Sequence, residues 1–191
     1  KNEFIATASH DLKNPIHAVL GYSDLLSKAG PMNDMQIDFA DRIQRAAIQM
    51  NELVLNMLEL VRVDLGMTLQ PEKLDLKNLL ESVVDDMVSQ ANMKNQKFTM
   101  QPLSKRPQVI GDAAQLRQVL RNLIGNAIKY TPENGQINVE TAMDLNQIWI
   151  EIKDSGYGIS KDELPFIFDK FYRSKTEDTK DIEGNGLGLA I

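Results

Sequence analysis

The period of the hydrophobic positions changes part-way along the chain, and the change divides the chain in two. From Phe4 to about Leu26, the residues Phe4, Ile5, Ala8, Leu12, Ile16, Val19 and Leu26 recur at helical spacing and gather around one direction. His10 points away from that direction, with Asp11 beside it and Lys13, Asn14 and His17 on the same outer face. Pro15 has no donor for the carbonyl of Asp11, so a kink or a loosened turn is expected just after His10. The stretch "KAGPMND" (28–34) punctuates the chain and ends on two residues able to cap a helix. A second helix is predicted from there to about Val63. Its positions Phe39, Ile43, Ala46, Met50, Leu53, Met57 and Leu60 alternate steps of four and three, the seam of a coiled coil or bundle. Two such helices joined by a short loop cannot bury both stripes between them. Pairing with a second copy into a four-helix bundle would bury them; packing of the hairpin on the rest of the chain is the alternative.

Beyond "DLGMTLQPEK" (64–73) the pattern is mixed. Residues 76–92 read as a helix, and "KFTMQPL" and "RPQVIGD" as short strands. Residues 112–131 read as a strongly amphipathic helix, with Leu116, Val119, Leu120, Leu123 and Ala127 as its buried stripe. "GQINVETAM" and "QIWIEIKD" alternate as strands and are joined by a turn near Asn146. The expected fold class is therefore α, then α/β: a two-helix hairpin (residues 1–66) followed by an α/β sandwich (residues 67–191). "RSKTEDTKDIEGNG" (173–186) is polar and ends in glycines, the composition of a mobile loop.

Bulk composition narrows the function classes. A chain of 191 residues with 42% apolar and 25% charged residues is ordinary soluble globular material for one or two domains. A net charge of −6 speaks against a protein that coats nucleic acid, which needs a clustered basic surface. The absence of cysteine excludes a disulfide framework and cysteine-ligated zinc, and suits a reducing cytoplasm. No apolar run approaches the ~20 residues of a membrane-spanning helix. The chain opens on Lys1 and reads as a piece of something longer, with a membrane anchor upstream left open.

The candidate chemistry lies in three places. On the helix 112–131, Asn122, Asn126 and Lys129 share one edge beside the buried stripe. Amide oxygens can complete the octahedral shell of a Mg²⁺ ion held by phosphate oxygens, and a lysine can neutralise a phosphate; a solvated helix edge is the alternative. "DSGYGI" (154–159) follows directly on a strand. Asp154 stands where a carboxylate could accept the amino protons of a purine, and Gly156 and Gly158 let the backbone approach a flat ligand. "GNGLGLAI" (184–191) places three glycines ahead of an expected new helix, an anion site made of free N–H groups. A single glycine-rich loop is weak evidence, but the order of these segments is specific.

With these residues in place, the chain resembles the sensor histidine kinases of two-component systems. "SHDLKNPI" resembles the phosphoacceptor box and "NLIGNAIKYT" the asparagine box. "DSGYGIS" is similar to the first glycine box, "FIFDKFYRS" to the phenylalanine box and "GNGLGLAI" to the second glycine box. The resemblance implies a dimerising hairpin followed by a Bergerat-type ATP-binding sandwich. His10 would take the γ-phosphoryl group of ATP, and Asp11 would accept the other ring proton. Asn14, one turn on, would hold a water for phosphatase chemistry, and the phosphoryl group would pass to an aspartate of a response-regulator receiver domain. His17 would be a surface residue. ATP and Mg²⁺ would be bound by Asn122, Asn126, Lys129, Tyr130, Asp154, Gly156, Gly158, Ile159, Arg173, Gly184, Gly186, Leu187 and Gly188, with Asn122 and Asn126 on the metal.

Some implied roles divide. Phe168 and Phe171 would close over the lid or belong to the core, Arg173 would reach the γ-phosphate or be solvated, and Tyr130 would flank the nucleotide or pack beneath it. ATPases of the same sandwich need a glutamate at the first position of the asparagine box; Asn122 stands there and is no base. That favours phosphoryl transfer over hydrolysis. An ATPase clamp and a degenerate, non-catalytic signalling dimer are the competing readings. The family pattern continues beyond "GLGLAI", so an incomplete C-terminus, an exposed apolar sheet edge and a weakly anchored lid are expected.

Overall fold

A computed structural model describes residues 2–64, 69–101, 106–145, 147–174, 176–180, 182 and 184–191, without the side chains of residues 2–11, 27 and 62–64. It forms two compact units, residues 1–67 and residues 68–190.

The first unit is an antiparallel hairpin of α1 (Asn2–Lys28) and α2 (Asp34–Asp64). Helix α1 runs without interruption through Pro15, so the lost donor does not end it. Asn33 and Gln36 form a reciprocal cap at the start of α2: each side chain accepts the other's backbone N–H at 2.9 Å. The hairpin closes on small residues. Ala40 and Ala47 are buried, as are Ile16 and Ser23 of α1, and Ser23 Oγ donates to the carbonyl of Ala40 at 3.2 Å. Val54 and Val61 continue the seven-residue spacing of the two alanines and are half-buried. The expected seam of larger residues is a different stripe. Phe39, Ile43, Met50, Leu53 and Met57 remain exposed, as do Leu12, Val19 and Leu26 of α1. Phe4, Ile5 and Ala8 have side chains outside the described residues.

The second unit comprises β1 (Glu72–Asp75), α3 (Leu76–Met93), β2 (Lys97–Met100), β3 (Gln108–Gly111), α4 (Ala113–Tyr130), β4 (Gln136–Met143) and β5 (Ile148–Asp154), then a 3-10 turn at Leu164–Phe166. Strands order as β2-β4-β5, with β2 parallel to β4 from Lys97 opposite Gln136, and β5 antiparallel to β4 with Asp154 opposite Ile137. β1 and β3 form a separate antiparallel pair. Strand β1 has no counterpart in the sequence reading. "EKLD" is short and charged, and it becomes a strand by pairing with β3. The turn expected at Asn146 falls outside the described residues; the hairpin around it is closed by Asp144 and Gln147, each N–H of the pair reaching the other residue.

Leu80, Val83, Ile124, Ile128, Ile137 and Val139 lie at the centre of the core, so α3 and α4 cover the sheet. The buried face of α4 is rotated from the expected one. Leu120 and Ala127 are buried and Leu116 packs against the core, but Val119 and Leu123 are 46% and 39% exposed. Ile124 and Ile128 take their places, because α3 and β4 meet α4 on that side. Capping fixes both helix starts: Asp75 accepts the N–H of Asn78, and Asp112 accepts those of Ala114 and Gln115. Between β3 and β5 lies a cavity of about 820 Å³, lined in part by Ile110, Val119, Leu145 and Ile148.

Candidate nucleotide site

The edge of α4 that carries Asn122, Asn126 and Lys129 is where distant segments meet. All three residues are half-buried. Asn122 Nδ2 donates to the carbonyl of Gly188 at 2.7 Å, while its Oδ1 accepts from Gln118 at 3.3 Å. Two turns further, Lys129 Nζ presses against Gly184 and stands 5.2 Å from the ring centre of Tyr130. The asparagine helix and the last glycine segment, more than fifty residues apart in the chain, are therefore one structure.

The segment after β5 closes on the end of the same helix. The N–H of Tyr157 reaches the carbonyl of Tyr130 at 3.2 Å. Gly156 is required there, since a Cβ would stand 2.5 Å from that carbonyl oxygen. Asp154 Oδ1 accepts the N–H of Gly156 at 2.9 Å, which fixes the carboxylate at the mouth of the loop, where it is exposed. Gly158 adopts φ +72°, and the neighbouring Ile159 is exposed.

The phenylalanine segment is held at both ends by one carboxylate. Ser160 Oγ donates to Glu163 at 2.8 Å, and the Tyr172 hydroxyl donates to its other oxygen at 3.4 Å. Hydrogen bonds from the hydroxyls of Ser174 and Ser160 hold the Glu163 carboxyl below the ordinary range. Burial, reinforced by the charge of Glu163, pushes the Tyr172 phenol up. Phe168 and Phe171 are 66% and 63% exposed, which excludes the core reading. Phe171 has φ +66°, and its N–H donates to the carbonyl of Gly186. Gly186 has φ +68°, and a Cβ there would meet the Tyr172 carbonyl at 2.6 Å.

Arg173 is half-buried and donates to the carbonyl of Ile182 at 2.5 Å, so it is not simply solvated. In the expected loose loop, Thr176–Lys180 form a turn, with Thr179 buried and bonded to Thr176. "GLGLAI", expected to begin a helix and stop after about one turn, forms a single turn closed by the Ala190 N–H on the Leu187 carbonyl. Leu187 is buried, and its N–H is taken by Asn185 Oδ1. In the hairpin, Asn14 and His17 are exposed. His10 and Asp11 lie within α1, and their side chains are outside the described residues. Sequence reasoning passed over Glu163, although Ser-x-x-Glu is a capping pattern.

Residues 1–66 match the His Kinase A phospho-acceptor domain, and residues 111–191 match the histidine kinase-, DNA gyrase B- and HSP90-like ATPase domain. The chain belongs to the histidine kinase family. Over 204 aligned residues it is 31% identical to the cell-division control histidine kinase PdhS of Brucella abortus, with the whole chain covered. Over 197 residues it is 30% identical to an uncharacterized sensor-like histidine kinase of Rhizobium meliloti. The chain spans 20% and 37% of those two proteins. Among solved structures, full-length ShkA in complex with AMPPNP superposes with a TM-score of 0.73 at 29% identity, over 98% of this chain and 39% of that one. The nucleotide-free catalytic domain of the histidine kinase ThkA gives 0.54 at 26% identity, over 63% of this chain and 75% of that one. The hairpin followed by an α/β ATPase domain is thus the histidine kinase architecture that the motifs implied. Among the described residues, no helix is long and apolar enough to cross a membrane.

Proposed function

We propose that this chain is the kinase core of a cytoplasmic, homodimeric sensor histidine kinase. It phosphorylates itself on His10 from ATP and passes the phosphoryl group to an aspartate of a response-regulator receiver domain. The observation that carries the nucleotide reading is the closure of two glycine segments on one helix, with Gly188 on Asn122 and Gly156 on the Tyr130 carbonyl. Such a closure gathers glycine backbone, a lysine and an exposed carboxylate along one helix edge. That donor set suits a purine nucleotide: Asp154 accepts from the base, and Lys129 with the segment 184–188 faces the phosphates.

Among the described residues no cluster of His, Asp or Glu could cage a metal on its own. This suits Mg²⁺ held mainly by phosphate oxygens, with the Asn122 and Asn126 amides completing its shell; the ion would neutralise charge on the transferred group. A neutral imidazole nitrogen of His10 attacks the γ-phosphorus. A P–N bond forms, the P–O bond to ADP breaks, and the other ring proton is taken up by Asp11. Asn14, one turn on and exposed, holds a water that attacks the phosphorus of a phospho-aspartate, breaking its P–O bond to release inorganic phosphate and the free carboxylate.

Incubation with radiolabelled ATP tests the reading. Label is expected on His10 as a phosphoramidate, labile in acid and stable in base, and absent from His10→Gln. Acid-stable label, or label that survives the substitution, overturns it.

A further inference from the structure

The last turn of α4 is held from outside. A helix C-terminus leaves its final carbonyls without donors of its own, and the turn that ends α3 supplies them. Lys94 Nζ donates to the carbonyls of Ile128 and Lys129 at 3.0 and 3.1 Å. Gln96, only 4% exposed, turns its amide nitrogen to the carbonyls of Ile128 at 2.9 Å and Thr131 at 2.6 Å, with that of Pro132 at 3.4 Å. Three carbonyls around one amide fix its orientation, because only the nitrogen can donate. The backbone is stitched across the same join, Asn134 N–H to the Lys94 carbonyl and Lys97 N–H to that of Gly135.

Packing alone does not account for a glutamine here. Its Oε1 is buried and accepts no hydrogen bond among the described residues, and neither does the buried Thr131 hydroxyl. An aliphatic side chain of the same size would avoid that desolvation penalty. What Gln96 does provide is a fixed position for the carbonyls on either side of Tyr130. The Tyr130 carbonyl is the oxygen on which Gly156 and Tyr157 close. Behind it, Thr131 packs on Gly135, and Ser155 Oγ accepts the N–H of Gln136 at 2.8 Å.

We propose that Gln96, assisted by Lys94, is a positioning residue for the nucleotide base: it fixes the last turn of α4 so that the Asp154 carboxylate stands where the base is read. This rests on the reading of Asp154 as the acceptor for adenine. At the phosphate end, Asn122 holds Gly188 from two turns earlier on α4, but Lys129 belongs to the turn that Gln96 and Lys94 fix. Losing the amide therefore weakens adenosine, and ATP by at least the same factor.

The test uses the full chain and the variants Gln96→Met and Asp154→Asn, with the fold checked by circular dichroism and adenosine and ATP titrated by NMR. Gln96→Met keeps the reach and removes the donor. It is expected to remain folded and to lose roughly ten-fold in affinity for adenosine and at least as much for ATP. A folded Gln96→Met with unaltered adenosine affinity, or with a loss confined to ATP, overturns the proposal; a purely structural glutamine would lower the melting temperature and leave adenosine affinity in the folded state intact. If Gln96→Met does not fold, Lys94→Met decides by the same criteria, with a smaller loss expected. If Asp154→Asn itself leaves adenosine affinity unaltered, the reading of the base site has failed and the Gln96 role falls with it. If only Gln96→Met is silent, the positioning role alone is wrong.

Discussion

One carbonyl oxygen sets how closely the segment after β5 can approach α4. At Gly156 the added Cβ of alanine would sit 2.5 Å from the Tyr130 oxygen, against backbone rather than the end of a flexible side chain. Gly156→Ala is therefore expected to push the Asp154 loop off its seat, costing about 1–3 kcal/mol of stability and weakening ATP. Urea unfolding and calorimetry would check this; an alanine variant as stable and as tight-binding as the parent would show that the loop is free to shift. Asp154 and Gly156 were legible in the sequence because a carboxylate and two glycines directly after a strand are unusual residues in a definite order. Gln96 and Lys94 were not. Their roles depend on carbonyls more than thirty residues away, and a glutamine in a polar turn carries no local signal.

At the scale of the element, α4 supports most of the site and depends on the residue that caps its start. Asp112 accepts the N–H groups of Ala114 and Gln115, and also that of Gln70 from the segment leading into β1. The Gln70 bond, then the Gln115 bond, holds its carboxyl below the ordinary aspartate value. A carboxyl lowered in the folded state stabilises that state at any pH above the unfolded value of about 3.9. The contribution disappears as pH falls through the lowered folded value. The parent and Asp112→Ala are thus expected to differ in melting temperature at neutral pH and to converge toward pH 3. Melting curves that stay equally far apart at pH 7 and pH 3 would refute the cap's charge dependence. Periodicity located α4 to within a residue at each end, yet misplaced its buried face. Val119 and Leu123 fit a helical stripe as well as Ile124 and Ile128 do, and only the approach of α3 and β4 decides between them.

At the scale of the whole molecule, the hairpin contains two apolar stripes and uses one. Ala40 and Ala47, with Ile16 and Ser23, close it from within, because small residues let the two helices come close. The larger stripe of Phe39, Ile43, Met50, Leu53 and Met57 then has no cover within the described hairpin. Burying an isoleucine or methionine contributes about 1.5–3 kcal/mol, and in a two-fold dimer each side chain counts twice. If the chain pairs through this stripe as proposed, Ile43→Glu combined with Met50→Glu should abolish dimerisation while leaving helix content intact, since neither residue lies on the alanine seam. Ala47→Leu should behave differently: it adds volume where nothing is exposed, forces α1 from α2 and lowers helix content together with dimer. Sedimentation velocity and circular dichroism on the three proteins separate the two stripes. If the double glutamate variant sediments as the parent does, the outer stripe is not the dimer face. If Ala47→Leu loses dimer with no loss of helix, the alanine seam lies between protomers rather than within one.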